Sequence, residues 1–327
     1  MKQSGNAERD EREAGARHGM TGQGSAIVPS VYDRGIVAFL RGVGAALAHA
    51  RPFYVLVAVA LHLGGLLITG ERWRIVVAAL GGRVSLARAT MINLAGIFVR
   101  NATPTTGLGG DASRIALLRA EGVGLPQATA SFVYVRVAEL PAIAAVVLLA
   151  LPAVGAAIAR SARAVEWTAL AAAGIGAAAF AARRRLAAQI ASARETMGRV
   201  GIGGGAFGAA VLYATIAQLE TIVRQIAVAA ACGLALGFRQ SATVAALGIA
   251  GGLVPTVGSI GAIDGAMVAG LMMCGAAADT AVAVTVVERA ISYGLSTGLG
   301  AGALALVGGR AIVRLAADRD GNAVTAG

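Results

Sequence analysis

The residues of this chain most able to do chemistry are two acid–arginine pairs set in apolar surroundings. Pro104-Thr105-Thr106-Gly107 leads through Gly110 to Asp111 and on to Arg136. Pro255-Thr256-Val257-Gly258 leads through Gly261 to Asp264 and on to Arg289. The acid-to-arginine gap is equal in both (136 − 111 = 25 and 289 − 264 = 25), and Ala128 and Ala130 stand at the offsets of Ala281 and Ala283. An ionisable side chain inside a bilayer costs about 3 kcal/mol or more, so a charge that persists there is a candidate for function. A guanidinium is a planar fork of donors that fits a carboxylate or a phosphate equally well.

Two readings of Arg136 and Arg289 therefore stand side by side. In one they form structural ion pairs with Asp111 or Asp264 of their own repeat, or with the nearby Glu139 and Glu288. In the other they clamp the phosphate of a lipid headgroup. The two are compatible, since an arginine that holds an aspartate when empty and a phosphate when loaded is a switch. Asp111 and Asp264 also stand where helix N-caps stand, a role worth about 1 kcal/mol. Arg114 follows Asp111 on the same helix face and is either a second headgroup contact or a local partner. Glu220 and Arg224, four apart within a span, are secondary candidates read first as an intrahelical pair.

No catalytic set accompanies these residues. Paired carboxylates with a histidine, metal-ligand spacings and phosphate-binding loops are all lacking, and Cys232 and Cys274 have no CxxC spacing. His18, His49 and His62 are scattered, and His62 reads as a packed, neutral imidazole. The expectation is a protein without metal or cofactor that is not an enzyme.

The elements that must position the charges are helices in a membrane. Of 327 residues, 57% are hydrophobic and only 14% charged, with a mean hydropathy of +0.73. Soluble domains average about 25% charged. Five stretches are long enough to cross a bilayer, near 52–70, 126–151, 164–182, 203–231 and 279–307. Two shorter apolar stretches, near 89–103 and 241–254, each stop at a Pro-Thr-x-Gly, and a short helix over 111–121 follows the first. The fold class is all-α: a polytopic bundle of about five or six spans plus two Gly/Pro-broken re-entrant helix pairs. The breaks fall at Pro104, Gly107 and Gly110, and at Pro255, Gly258 and Gly261. Three crossings between the copies make the repeat inverted.

Residues 1–33 read as a disordered polar tail without the apolar core of a signal peptide. Residues 34–310 form one transmembrane domain with repeat elements at 89–151 and 241–307, and 311–327 are a short tail. The segment 34–51 is an interfacial helix or a short span, and the side of the N-terminus depends on which. Glu71-Arg72-Trp73-Arg74 reads as an interfacial anchor at a span end, and the arginines at 183–199 as a basic amphipathic surface helix. The net charge of +11 fits loops lying on anionic lipid and not a nucleic-acid surface. Arg72, Arg74, Arg83, Arg88, the 183–185 run, Arg194, Arg199, Arg310 and Arg314 fall on one side, which the positive-inside rule makes cytoplasmic together with the C-terminus. The glycines at 201–205 and 294–302 read as helix-packing residues.

The run Pro104…Gly110-Asp111-Ala112-Ser113-Arg114…Leu118…Gly124…Ala128…Arg136 resembles the first signature of the lysylphosphatidylglycerol synthase transmembrane region, also called the flippase-like family. The run Pro255…Gly258…Gly261…Asp264…Gly275…Ala281…Arg289 resembles its second. The likeness covers roughly residues 35–310. Asp264 stands where the family usually has Glu, and Val135 where a glutamate often precedes the first arginine, with Glu139 one turn on. The soluble aminoacyl-transferase domain of the full synthases has no counterpart in this sequence, so the resemblance implies the lipid-translocating half. Its expected partners are membrane lipids with anionic headgroups and a separately encoded lipid-biosynthesis enzyme. On this reading the protein is a lipid translocase of the bacterial inner membrane. An accessory scaffold or a lipid-modifying membrane transferase is the alternative, and the oligomeric state is open.

Overall fold

A computed structural model describes residues 44–45, 48–103, 108–160, 201–252 and 261–308. Apart from a short stretch before residue 50, the described residues form α1 (Pro52–Ala79), α2 (Leu86–Ala102), α3 (Leu108–Ala120), α4 (Leu125–Arg160), α5 (Gly204–Ala231), α6 (Phe238–Gly252), α7 (Ala262–Met273) and α8 (Ala278–Gly308), and no strand. Four of them, α1, α4, α5 and α8, are long and apolar enough to cross a membrane. Their outer faces carry exposed Phe53, Leu56, Leu148, Leu212 and Leu306, as a lipid-facing surface requires. The expected span at 164–182, the segment 34–51 short of its last residues, and the basic helix at 183–199 lie outside the described residues, as do Pro104, Gly107, Pro255 and Gly258.

The local reasons for these boundaries are legible. Pro52 opens α1, where a missing N–H costs nothing. Ser85 caps α2 by accepting from the Arg88 N–H (3.3 Å). Gly122 and Gly275 end α3 and α7 with positive φ (86° and 96°), a backbone conformation costly for any residue with a Cβ. These two glycines, the aspartates and the arginines all recur at one interval (275 − 122, 264 − 111 and 289 − 136 each equal 153), and so do the first residues of α4 and α8 (278 − 125 = 153).

Contacts fix the direction of each helix. The Arg51 N–H donates to the Ala231 carbonyl (2.9 Å), joining the start of α1 to the finish of α5. At the other end Val76 and Leu80 pack with Ala210, beside Phe207, so α1 and α5 are antiparallel. Ala130 and Tyr134 of α4 share that second cluster, and Val146 packs on Ile222 further along, so α4 runs parallel to α5. Helix α8 begins beside Ala58 and Val228 and finishes with Val307 against Trp73 and Val77, parallel to α1.

The remaining helices form two hairpins. The open end of α2–α3 is closed by Arg88 and Glu121 (2.5 Å) with Val123 beside Val77, where α1 finishes. The open end of α6–α7 is closed by Cys274 against the Gln240 carbonyl (3.8 Å), with Leu236 and Leu271 packed near Ala58, where α1 begins. Both hairpins are drawn tight by a glycine. A Cβ on Gly110 would press on the Gly96 carbonyl and on Arg100, and one on Gly251 would lie 2.6 Å from the Ala262 carbonyl.

Two expectations need correction. The first span does not stop at residue 70, because Ile75–Ala79 continues its apolar run and α1 reaches Ala79. Arg72 and Trp73 are consequently not an interfacial anchor; they are 4% and 5% exposed and point into the bundle. The glycines at 294–302 also divide. Gly300 lets α8 lie directly against the Leu94 carbonyl of α2, whereas Gly298 and Gly302 touch nothing, and neither do Gly201 and Gly203–205.

Candidate functional site: an arginine-lined cavity between the first hairpin and two long helices

A cavity of about 210 Å³ opens between α1, α2, α3 and α4. Each helix contributes one face. Leu66, Thr69, Arg72 and Trp73 come from α1, Asn93, Ile97 and Arg100 from α2, Arg114 from α3, and Phe132, Val135, Arg136 and Glu139 from α4. The spacings of three, four and seven are those that bring side chains to one helical face. Four arginines therefore surround one glutamate, and among the described residues the other carboxylate in direct contact with them is that of Asp111.

These charges are connected. Arg72 Nη2 donates to Glu139 Oε1 at 2.6 Å, and Arg136 Nη1 to Glu139 Oε2 at 3.4 Å. Arg114 Nη1 donates to Asp111 Oδ1 at 2.7 Å and Nη2 to the Asn93 carbonyl at 3.4 Å. Arg136 Nη2 stands 3.6 Å from Asp111 Oδ1. Gly96 provides the room for the Arg114 side chain to cross α2. Buried Nε–H groups on both Arg72 and Arg114 have no hydrogen-bond partner. Arg100 makes no ion pair among the described residues, and the charges of Arg114, Arg136 and Arg289 all act on it. Among the described residues, four guanidinium groups and two carboxylates leave the cavity positive by two charges.

The second repeat builds a different cluster from matching parts. Asp264 accepts from the Gly261 N–H (2.7 Å), so it does cap α7, and it also pairs with Arg289 Nε at 2.8 Å. Arg224 joins two carboxylates: its Nε donates to Glu220 Oε1 at 2.8 Å and its Nη1 to Glu288 Oε1. Arg136 lies over the Phe132 ring (5.3 Å to the centroid) and Arg289 over Tyr293 (4.8 Å), contacts in which ring and cation attract. Tyr293 also donates to the Asn101 carbonyl (3.2 Å), and Asn101 Nδ2 to Thr297 Oγ1 (2.8 Å), so α8 is tied to the tip of the first hairpin.

Set against the sequence, the geometry joins Asp111, Arg114, Arg136 and Glu139 in one network, Glu220, Arg224 and Glu288 in a second, and Asp264 with Arg289 in a pair beside it. Both intra-repeat acid–arginine pairs form. Glu139, one turn on from Val135, supplies the carboxylate beside the first arginine. Glu288 bonds Arg224 and not its neighbour Arg289, so the Glu220–Arg224 pair extends beyond one helix to α8. His62 is buried and hydrogen-bonded to Ser296 (2.7 Å), the packed imidazole its context suggests.

Two cavity arginines escaped sequence reasoning. Arg72 was placed at a span end, although the apolar run after it would have put it inside the membrane. Arg100 was taken within an apolar stretch, although it lies seven residues after Asn93 on the same face of α2.

Comparison with curated proteins finds none that matches the chain. The profile of the lysylphosphatidylglycerol synthase TM region matches residues 24–300, which take in both hairpins, both charged clusters and all four long apolar helices up to the last turns of α8. The chain is therefore a membrane protein of the lysylphosphatidylglycerol synthase transmembrane-region family.

Proposed function

We propose that the protein is a lipid translocase that moves an anionic or polyprenyl-linked lipid between the leaflets of the bacterial inner membrane, and that it is not an enzyme. The observation that carries this reading is the cavity left positive by two charges, with Arg136 half-exposed inside it. Arginines in apolar surroundings that exceed their carboxylate partners attract an anion, and a phosphate accepts from guanidinium forks bidentately. In this reading Arg136 exchanges Asp111, at 3.6 Å a loose partner, for the headgroup phosphate. Arg100 adds a second contact, while Arg72 and Arg114 hold the walls.

The two hairpins are the moving parts of an inverted repeat. Antiparallel α1 and α5, with the hairpin open ends at opposite ends of α1, support that reading. Repeats of this kind rock around a central site. The end carrying Arg83 and Arg88 faces the cytoplasm by the positive-inside rule, as does the C-terminus.

The decisive experiment is leaflet exchange of fluorescent anionic lipids in proteoliposomes, wild type beside Arg136→Ala/Arg289→Ala. Exchange by the wild type and none above the protein-free background by the variant is the expected result. A folded wild type that exchanges no headgroup would reject translocation and favour an accessory role in lipid biosynthesis.

A further inference from the structure

The second cluster contains a charge that the lipid reading does not use. Glu220 and Glu288 share a single guanidinium, that of Arg224. Glu288 is 3% exposed, and its Oε2 is buried with no hydrogen-bond partner. Around the pair stand His62 of α1 (bonded to Ser296), Thr221 and Arg224 of α5, and Arg289 of α8, itself neutralised by Asp264 of α7. The row Asp264, Arg289, Glu288, Arg224, Glu220 holds three acids and two bases, a surplus of one negative charge. Gly65 shows that the carboxylate is accommodated on purpose. A Cβ there would lie 2.7 Å from Glu220 Oε2.

An unbalanced charge and a bare carboxylate oxygen in a low-dielectric interior call for a bound cation. The guanidinium already sits between the two carboxylates, so a metal ion has no set of oxygens to coordinate. We propose that Glu220, Arg224 and Glu288 form a proton site, in which two carboxylates on one guanidinium let Glu288 take up one proton that couples lipid exchange to the pH gradient. A hydronium ion gives up one O–H bond, Glu288 Oε2 gains the proton as a new O–H bond and a water molecule is left; release runs the same step in reverse. Glu288 precedes Arg289 in α8, so neutralising it loosens the joint between α5 and α8 at the position that holds the tip of the second hairpin. The coupling half of this inference rests on the translocase reading, whereas the protonation half does not.

The test has two arms on the purified full chain. Infrared difference spectra across a pH titration are expected to show a protonated-carboxyl C=O band that is lost in Glu288→Gln or in Glu220→Gln, with folding checked by circular dichroism. In proteoliposomes, an imposed pH gradient is expected to change wild-type anionic-lipid exchange severalfold. No such band in the wild type, or a band that survives both substitutions, overturns the proton site even if lipids exchange. A band that behaves as expected with exchange indifferent to the pH gradient, or changed only by sodium, overturns coupling. A normal band with no lipid exchange at all keeps the proton site and rejects the translocase.

Discussion

The arginines of the cavity divide by exposure. Arg72 is 4% exposed and its carboxylate partner is Glu139, so it belongs to the wall. The side chain of Arg136 is 46% exposed, with partners at 3.4 and 3.6 Å that a phosphate would replace at small cost. Removing one member of a buried pair strands the other, at about 3 kcal/mol. Glu139→Ala is therefore expected to lower the Tm in detergent markedly, whereas Arg136→Ala leaves the Tm within a few degrees and abolishes exchange. Equal thermal losses in the two would contradict this division. The sequence disclosed these partners unevenly. The acid–arginine pairs could be read because their spacing repeats. The Arg72–Glu139 bond joins residues 67 apart, and no spacing rule reaches across two helices and a hairpin.

Among the elements, the hairpins depend on glycines at their closest approach. Gly251→Ala brings a Cβ to 2.6 Å from the Ala262 carbonyl and 3.0 Å from Ala266 Cβ, so the α6–α7 pair must part. Such overpacking costs about 1–3 kcal/mol. The expected outcome is a lower Tm for Gly251→Ala and an unchanged one for Gly298→Ala, whose surroundings are open. Thermal unfolding followed by circular dichroism separates the two. Hydropathy revealed the apolar stretches and the Pro-Thr-x-Gly breaks revealed the hairpins. Hydropathy could not say which glycines touch a neighbour, because Gly298 and Gly300 are two residues apart and alike in composition, yet only one meets α2.

For the whole molecule, the proposed inversion makes a prediction about sidedness. Arg83 follows α1 and is exposed beside the open end of the first hairpin; Arg239 is exposed at the start of α6, beside the open end of the second. In a background where Cys232 and Cys274 are alanine, Arg83→Cys and Arg239→Cys should react with a membrane-impermeant maleimide from opposite sides of sealed vesicles, Arg83→Cys from the cytoplasmic one. Labelling of both from one side would reject the inverted arrangement. At this scale the sequence offered a count of crossings between the copies, one of which falls outside the described residues; among the described ones, α1 and α5 run antiparallel. The reciprocal docking of α8 on α2 and α4 on α6 could not be counted, since it depends on which faces meet.

Directly after Arg289, the six residues Ala290–Leu295 of α8 wind as a π-helix. The Ser292 hydroxyl donates to the Glu288 carbonyl (2.8 Å) and the Thr297 hydroxyl to the Tyr293 carbonyl (2.6 Å), so local side chains bond to the backbone where the winding is wide. A wide turn stores one residue more than an α-helix would over the same rise. Passing that surplus one position toward the start of the helix would turn the residue it passes, Arg289, by about 100°, while both flanks keep their setting. The stretch that follows is pinned to the first hairpin through Asn101 and Gly300, and the stretch that precedes it carries Glu288 and Arg289. Removing Ser292 by deletion would close the wide turn and is expected to leave a folded protein in which Arg289 is stuck in a single rotational setting.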